Sequence, residues 1–141
     1  MALLLATTAL EAKGTTVKLT LTGPGLAKPV EIVEPAILSG SNVWEGRFIG
    51  ETLKAAPAGR GAVYSVAFDV QLPEWQRAGV KTMYTVWVAR DPRTGGLWLY
   101  LPGRGEPGYL LNVRSMLRDT HDGHWHRASS AWASALAKYL P

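Results

Sequence analysis

No cysteine occurs in the chain. Disulfides, thiolate metal ligands and a cysteine nucleophile are therefore excluded, and packing must hold the fold together. The absence suits an oxidising or a reducing compartment equally. Charge is scarce too. Asp, Glu, Lys and Arg make up 18% of residues without a run of one sign, so the formal +4 is a mild bias rather than a basic patch. Specific nucleic-acid binding, which needs a clustered stripe or a known motif, is not expected. Also missing are G-x-S-x-G, S-x-x-K, H-E-x-x-H and a phosphate-binding loop, which points away from an enzyme. Asp69 and Glu74 form an acid and base pair only on paper, since Asp69 falls on the outer side of its strand.

Long apolar runs are absent but for Met1 to Leu10, MALLLATTAL, which is too short to span a bilayer. It has the length of a signal-peptide core, and the composition changes at Glu11-Ala12-Lys13 to strand-like Thr and Val. Residues 1–12 read as a signal peptide and 13–141 as a single β-rich domain, secreted or held in the periplasm or cell envelope, with no transmembrane span in the mature chain. At 47% apolar composition, a chain of 141 residues is large enough for one real core.

What is present is alternation. Ala62 to Leu72, AVYSVAFDVQL, places Tyr64, Val66, Phe68, Val70 and Leu72 on one side and Ser65, Asp69 and Gln71 on the other, the signature of a strand with one buried face. Thr15 to Thr22 alternates likewise, with Val17, Leu19 and Leu21 inward, and pairs as a hairpin with Pro29 to Val33. Pro35 opens a helical turn stopped by Gly40. Asn42 to Ile49 reads as irregular, Thr52 to Gly61 as a loop, and Pro73 to Gly79 as a helical turn or structured loop. Thr82 to Arg90 and Leu97 to Leu101, joined by the turn DPRTGG, complete a three-strand antiparallel meander. Tyr109 to Val113 and Ser115 to Thr120 read as one bent strand or two short ones. Ser129 or Ser130 caps a terminal helix with Trp132, Leu136 and Leu140 inward.

The fold class that follows is α+β, mostly β: an antiparallel sheet of about 5–7 strands with a C-terminal helix. Its expected core is Tyr64, Val66, Phe68, Val70, Tyr84, Val86, Val88, Leu97, Leu99, Trp132 and Leu136.

Three features bear on chemistry. Gly103, Gly105 and Gly108 match G-x-G-x-x-G in letters, but the pattern needs a strand-to-helix context in a βαβ unit; it reads here as a tight loop. Asp119 to His126, DTHDGHWH, is the densest set of ligand-type residues. A two-residue Asp122-Gly123 turn would bring Asp119, His121, His124 and His126 to one face, a set suited to zinc or another divalent transition metal, with Trp125 on the other face. The simpler reading is a solvated hairpin tip. Finally, Trp87, Trp98 and Tyr100 fall on strands expected to pair and would form an aromatic strip. Left open beside a polar side chain such as Arg90 or Gln71, a strip of this kind holds sugar rings or other flat ligands; covered, it is core.

Lys18 to Ile32, KLTLTGPGLAKPVEI, and Tyr100 to Asn112, YLPGRGEPGYLLN, together with the leader-like start, resemble uncharacterised exported proteins of soil-type bacteria, over most of the chain from Lys13 onward. The resemblance implies export and a β-rich fold, and no activity, ligand or site residue. The reading that results is a non-catalytic exported or envelope-located binding or interaction module with a small ligand or a protein as partner. The alternatives are a metal-binding protein using the histidine hairpin and a small hydrolase.

Overall fold

The computed structural model describes residues 13–74, 79–115 and 121–141. Alternation becomes seven strands: β1 (Thr15–Thr22), β2 (Val30–Ile32), β3 (Ile49–Thr52), β4 (Tyr64–Gln71), β5 (Val80–Arg90), β6 (Leu97–Tyr100) and β7 (Trp125–Ala128). They form one sheet in the order β2-β1-β4-β5-β6-β7-β3, with every neighbouring pair antiparallel. Among the described residues the helices are α1 (Pro35–Leu38), α2 (Tyr109–Ser115) and α3 (Ser130–Ala137). The architecture is thus mostly β with a C-terminal helix. Among the described residues no helix is long and apolar enough to cross a membrane.

The meander is built as its side-chain alternation requires. Val66 pairs with Val86, and Val88 with Leu99, so the apolar sides of β4, β5 and β6 line up on one face. β1 lies on the other side of β4 with Leu19 opposite Phe68. One detail differs from simple alternation. The β1–β4 register slips between Thr16 and Lys18, and this bulge turns Thr16 inward where Val17 was expected. The buried Thr16 hydroxyl donates to the Ser41 carbonyl at 2.7 Å, so its polar group is satisfied.

All eleven residues expected in the core are buried. Helix α3 closes this face of the sheet through Trp132, Ala133 and Leu136, and Phe48, just before β3, enters the same cluster. The Phe48 and Phe68 rings lie 4.9 Å apart, and Phe68 stacks on Trp132 at 6.3 Å. The Trp132 indole N–H donates to the Ser41 hydroxyl at 2.9 Å, and that hydroxyl donates to the Ile37 carbonyl, tying α3 to α1. Ser129 occupies the N-cap position of α3 without a side-chain capping bond; instead its backbone N–H donates to the Phe48 carbonyl at 3.0 Å.

Two sequence expectations need correction. Tyr109 to Val113 is helix α2, not a strand. A short apolar run such as Leu110-Leu111 carries no decisive period, and here a side chain does what a strand would have done. β6 pairs with β5 only from Trp87 onward, and the Asn112 carboxamide accepts from the Thr85 N–H at 2.8 Å and donates to the Thr85 carbonyl at 2.7 Å. Gly108 makes the close approach feasible: its φ is 92°, and a Cβ there would lie 2.4 Å from the Thr85 methyl. The second correction concerns β7, which pairs with β6 and β3 and not with a strand before Asp122. Residues 116–120 of that expected strand, and 75–78 of the Pro73 to Gly79 turn, lie outside the described residues, as does the expected leader.

Candidate functional site

The face of the sheet away from α3 carries the site. In register, Trp87 of β5 pairs with Tyr100 of β6, and Tyr100 with Trp125 of β7. Strands sit about 5 Å apart, so three aromatic residues on one rung must stand ring against ring. Trp87 and Tyr100 stack at 5.5 Å between centroids, 12° from parallel, and Tyr100 and Trp125 lie 5.2 Å apart at a 47° tilt. All three are only half-buried.

The loop after β3 forms a wall. Leu53 donates its N–H to the Trp125 carbonyl at 2.8 Å, which pins the start of the loop to β7. Its far end brings the Arg60 guanidinium over the Trp125 ring at 5.1 Å, and Arg60 Nη1 donates to the Pro57 carbonyl at 3.1 Å. On the other side, Gly123 donates its N–H to the Leu101 carbonyl at 2.8 Å, setting the 123–124 segment beside the end of β6. Between these walls is a cleft of about 440 Å³ lined by the three aromatic residues with Lys54, Arg60 and His124.

Tyr100 is fixed at its tip as well as its base. Its hydroxyl donates to Glu106 Oε1 at 2.5 Å, and the same oxygen accepts from the Gly103 N–H at 2.8 Å. Burial, and then the neighbouring carboxylate, push the phenol up to about 12, so the ring stays neutral through the physiological range. The glycine-rich stretch is a tight loop, closed by the Glu106 N–H donating to the Gly103 carbonyl at 2.9 Å. Although a helix follows it, β5, β6 and β7 are antiparallel, so the βαβ context of a dinucleotide site is not met.

No family model, curated protein or solved structure matches the chain.

Trp87 and Tyr100 come together as the sequence suggests. Trp98 shares their face but is 7% exposed, beneath Leu53 and Pro57 in a separate hollow of about 270 Å³. Trp125 and Arg60 were not foreseen in the strip. The Asp122-Gly123 hairpin expected from the sequence puts Trp125 on the face away from the histidines, and only the non-local β6–β7 pairing places it beside Tyr100. Arg90, expected near the strip, instead donates to the Ala137 and Leu140 carbonyls at the end of α3.

The three histidines proposed as metal ligands do not share one open surface. His126 is fully buried on the core face, opposite Leu99 and Thr52. Its Nε2 donates to the His121 carbonyl at 2.9 Å, and its Nδ1 faces the Thr52 hydroxyl at 3.1 Å, so both ring nitrogens are engaged within the protein. His121 packs 5.4 Å from that ring, whereas His124 is exposed at the aromatic cleft. Asp119 lies outside the described residues. Among those described, no three His, Asp or Glu side chains are grouped to hold a metal. Asp69, the imagined catalytic acid or base, accepts from the Thr82 hydroxyl at 2.6 Å and pairs with Lys18 at 3.5 Å, ties that join neighbouring strands.

Proposed function

We propose that the chain is an exported, non-catalytic binding module whose ligand lies in the cleft floored by Trp87, Tyr100 and Trp125. One observation carries the reading. The protein already has an aromatic core of Phe48, Phe68, Tyr84 and Trp132 on the opposite face, yet a second row of three aromatic residues is left half-open in a cleft. A solvated sheet face ordinarily carries polar side chains, and a concave apolar patch with a few polar groups is where small ligands bind. A role in catalysis finds less support. Among the described residues the lining includes no carboxylate, serine or threonine to act with His124, and the one phenol is held neutral by burial and Glu106. Export is supported by the leader-like Met1 to Ala12.

Tryptophan fluorescence tests the binding reading directly, because two of the six tryptophans stand in the floor. A planar aromatic ligand should quench emission saturably. Trp125→Ala should weaken binding about tenfold or more, given stacking worth roughly 1–3 kcal/mol, with the circular dichroism spectrum preserved. Unchanged affinity in this variant would remove the cleft from consideration. Mass spectrometry of the protein recovered from its own cells tests export by showing whether the chain begins near Lys13.

A further inference from the structure

Resting on that reading, we infer that the cleft selects a small planar ligand bearing a negative charge, and that Arg60 is the residue that reads the charge. Flatness follows from the floor. Three rings held ring against ring by strand register spend their faces largely on one another, and the ring edges they leave meet the face of a flat aromatic body in the favoured edge-to-face geometry; about 440 Å³ accommodates a compact small molecule.

Charge follows from the walls. Lys54 and Arg60 line the cleft, and neither makes an ion pair with a carboxylate among the described residues, whereas Lys18, Arg127 and Lys138 each do. The Arg60 guanidinium rests on Trp125 and spends one donor on the Pro57 carbonyl. A guanidinium laid on a ring keeps its edge available, and that edge matches a carboxylate or a phosphate. Glu106, the acid that holds Tyr100, does not line the cleft; one of its oxygens takes both the Tyr100 hydroxyl and the Gly103 N–H.

The lining also argues against a neutral sugar. Sugar hydroxyls are read largely by carboxylates and carboxamides; Asp, Glu, Asn and Gln are all absent from the described lining, whose side-chain acceptors are His124 and the Tyr100 hydroxyl already engaged by Glu106. An anion needs donors and positive charge, which is what the walls supply.

The experiment is calorimetric and fluorescence titration of the full chain with 2-naphthoate, adenosine monophosphate, neutral 2-naphthamide and non-planar cyclohexanecarboxylate. We expect a planar anion to bind, the naphthamide to bind about tenfold more weakly than naphthoate, and cyclohexanecarboxylate not to bind. The first two probes are planar anions of different build, one a carboxylate and one a phosphate, and binding of either supports the inference. Arg60→Gln, an exposed loop substitution, should abolish the preference for naphthoate over naphthamide, and added salt should reduce it in the wild type. Equal affinity for naphthoate and naphthamide in the wild type would overturn the charge inference while leaving the cleft a binding site. Failure of every planar probe would sink the cleft itself, and an oligonucleotide binding far more tightly than the mononucleotide would replace the small ligand with a strand.

Discussion

Single side chains set the most specific terms of this fold. Ser41 is fully buried, donates to the Ile37 carbonyl and accepts from the Trp132 indole, so it links the two helices that close the core. Ser41→Ala removes the acceptor and leaves a buried N–H without its partner. The expected loss is about 1–3 kcal/mol in denaturant unfolding, with the aromatic cleft on the far face unaffected. Tyr100 makes a prediction about pH. Burial, helped by Glu106, raises its folded pKa to about 12 from an ordinary value of 10.0. Between those values the folded state retains a proton that the unfolded chain releases, so this contribution is complete below about pH 10 and is lost as pH rises towards 12. Phenolate absorbance should show one tyrosine titrating late. Glu106→Gln should bring that titration partway back, since burial, the larger cause, remains.

At the scale of elements, α2 shows how a helix substitutes for a missing strand. β5 extends beyond β6, and Asn112 satisfies both backbone groups of Thr85 at the uncovered stretch. Asn112→Ala should cost about 1–3 kcal/mol and expose the Thr85 amide to hydrogen exchange. Gly108→Ala should give the same exchange signature by another route. Its Cβ would press on the Thr85 methyl in a backbone conformation that disfavours side chains, lifting the start of α2 away from the sheet. If Thr85 remained protected in both variants, the docking account of α2 would be wrong. β2 and β3, at the edges of the sheet, have three and four residues, and short edges limit pairing with other chains.

For the whole molecule, the sheet has two aromatic faces that differ in exposure. The inner one is sealed: Phe68 is fully buried among Phe48, Tyr84 and Trp132. Phe68→Ala should cost about 3–5 kcal/mol, a large share of the roughly 5–15 kcal/mol that holds a typical domain folded. A drop in the thermal midpoint of only a degree or two would contradict this packing. The outer face is open along the row from Trp87 to Trp125, and the loop carrying Lys54 and Arg60 borders it. One sheet thus supplies both the stability and the proposed site, because side chains on successive residues of a strand point to opposite faces.

That period of two is what the sequence determined by itself. Tyr64 to Val70, Tyr84 to Val88 and Leu97 to Leu99 could turn only one flank to an interior, so the meander, its buried face and the inward Trp132 and Leu136 were legible from residue order alone. Tertiary structure decided which distant strands became neighbours. Asp122-Gly123 signals a turn wherever it stands, but the turn does not say which strand will lie beside Trp125; pairing with β6 and β3 buries His126 and puts Trp125 next to Tyr100. Alternation is a property of consecutive residues, whereas register across a sheet depends on the packing of the entire chain. Hence Trp87 and Tyr100 were visible in advance, and Trp125 and Arg60 were not.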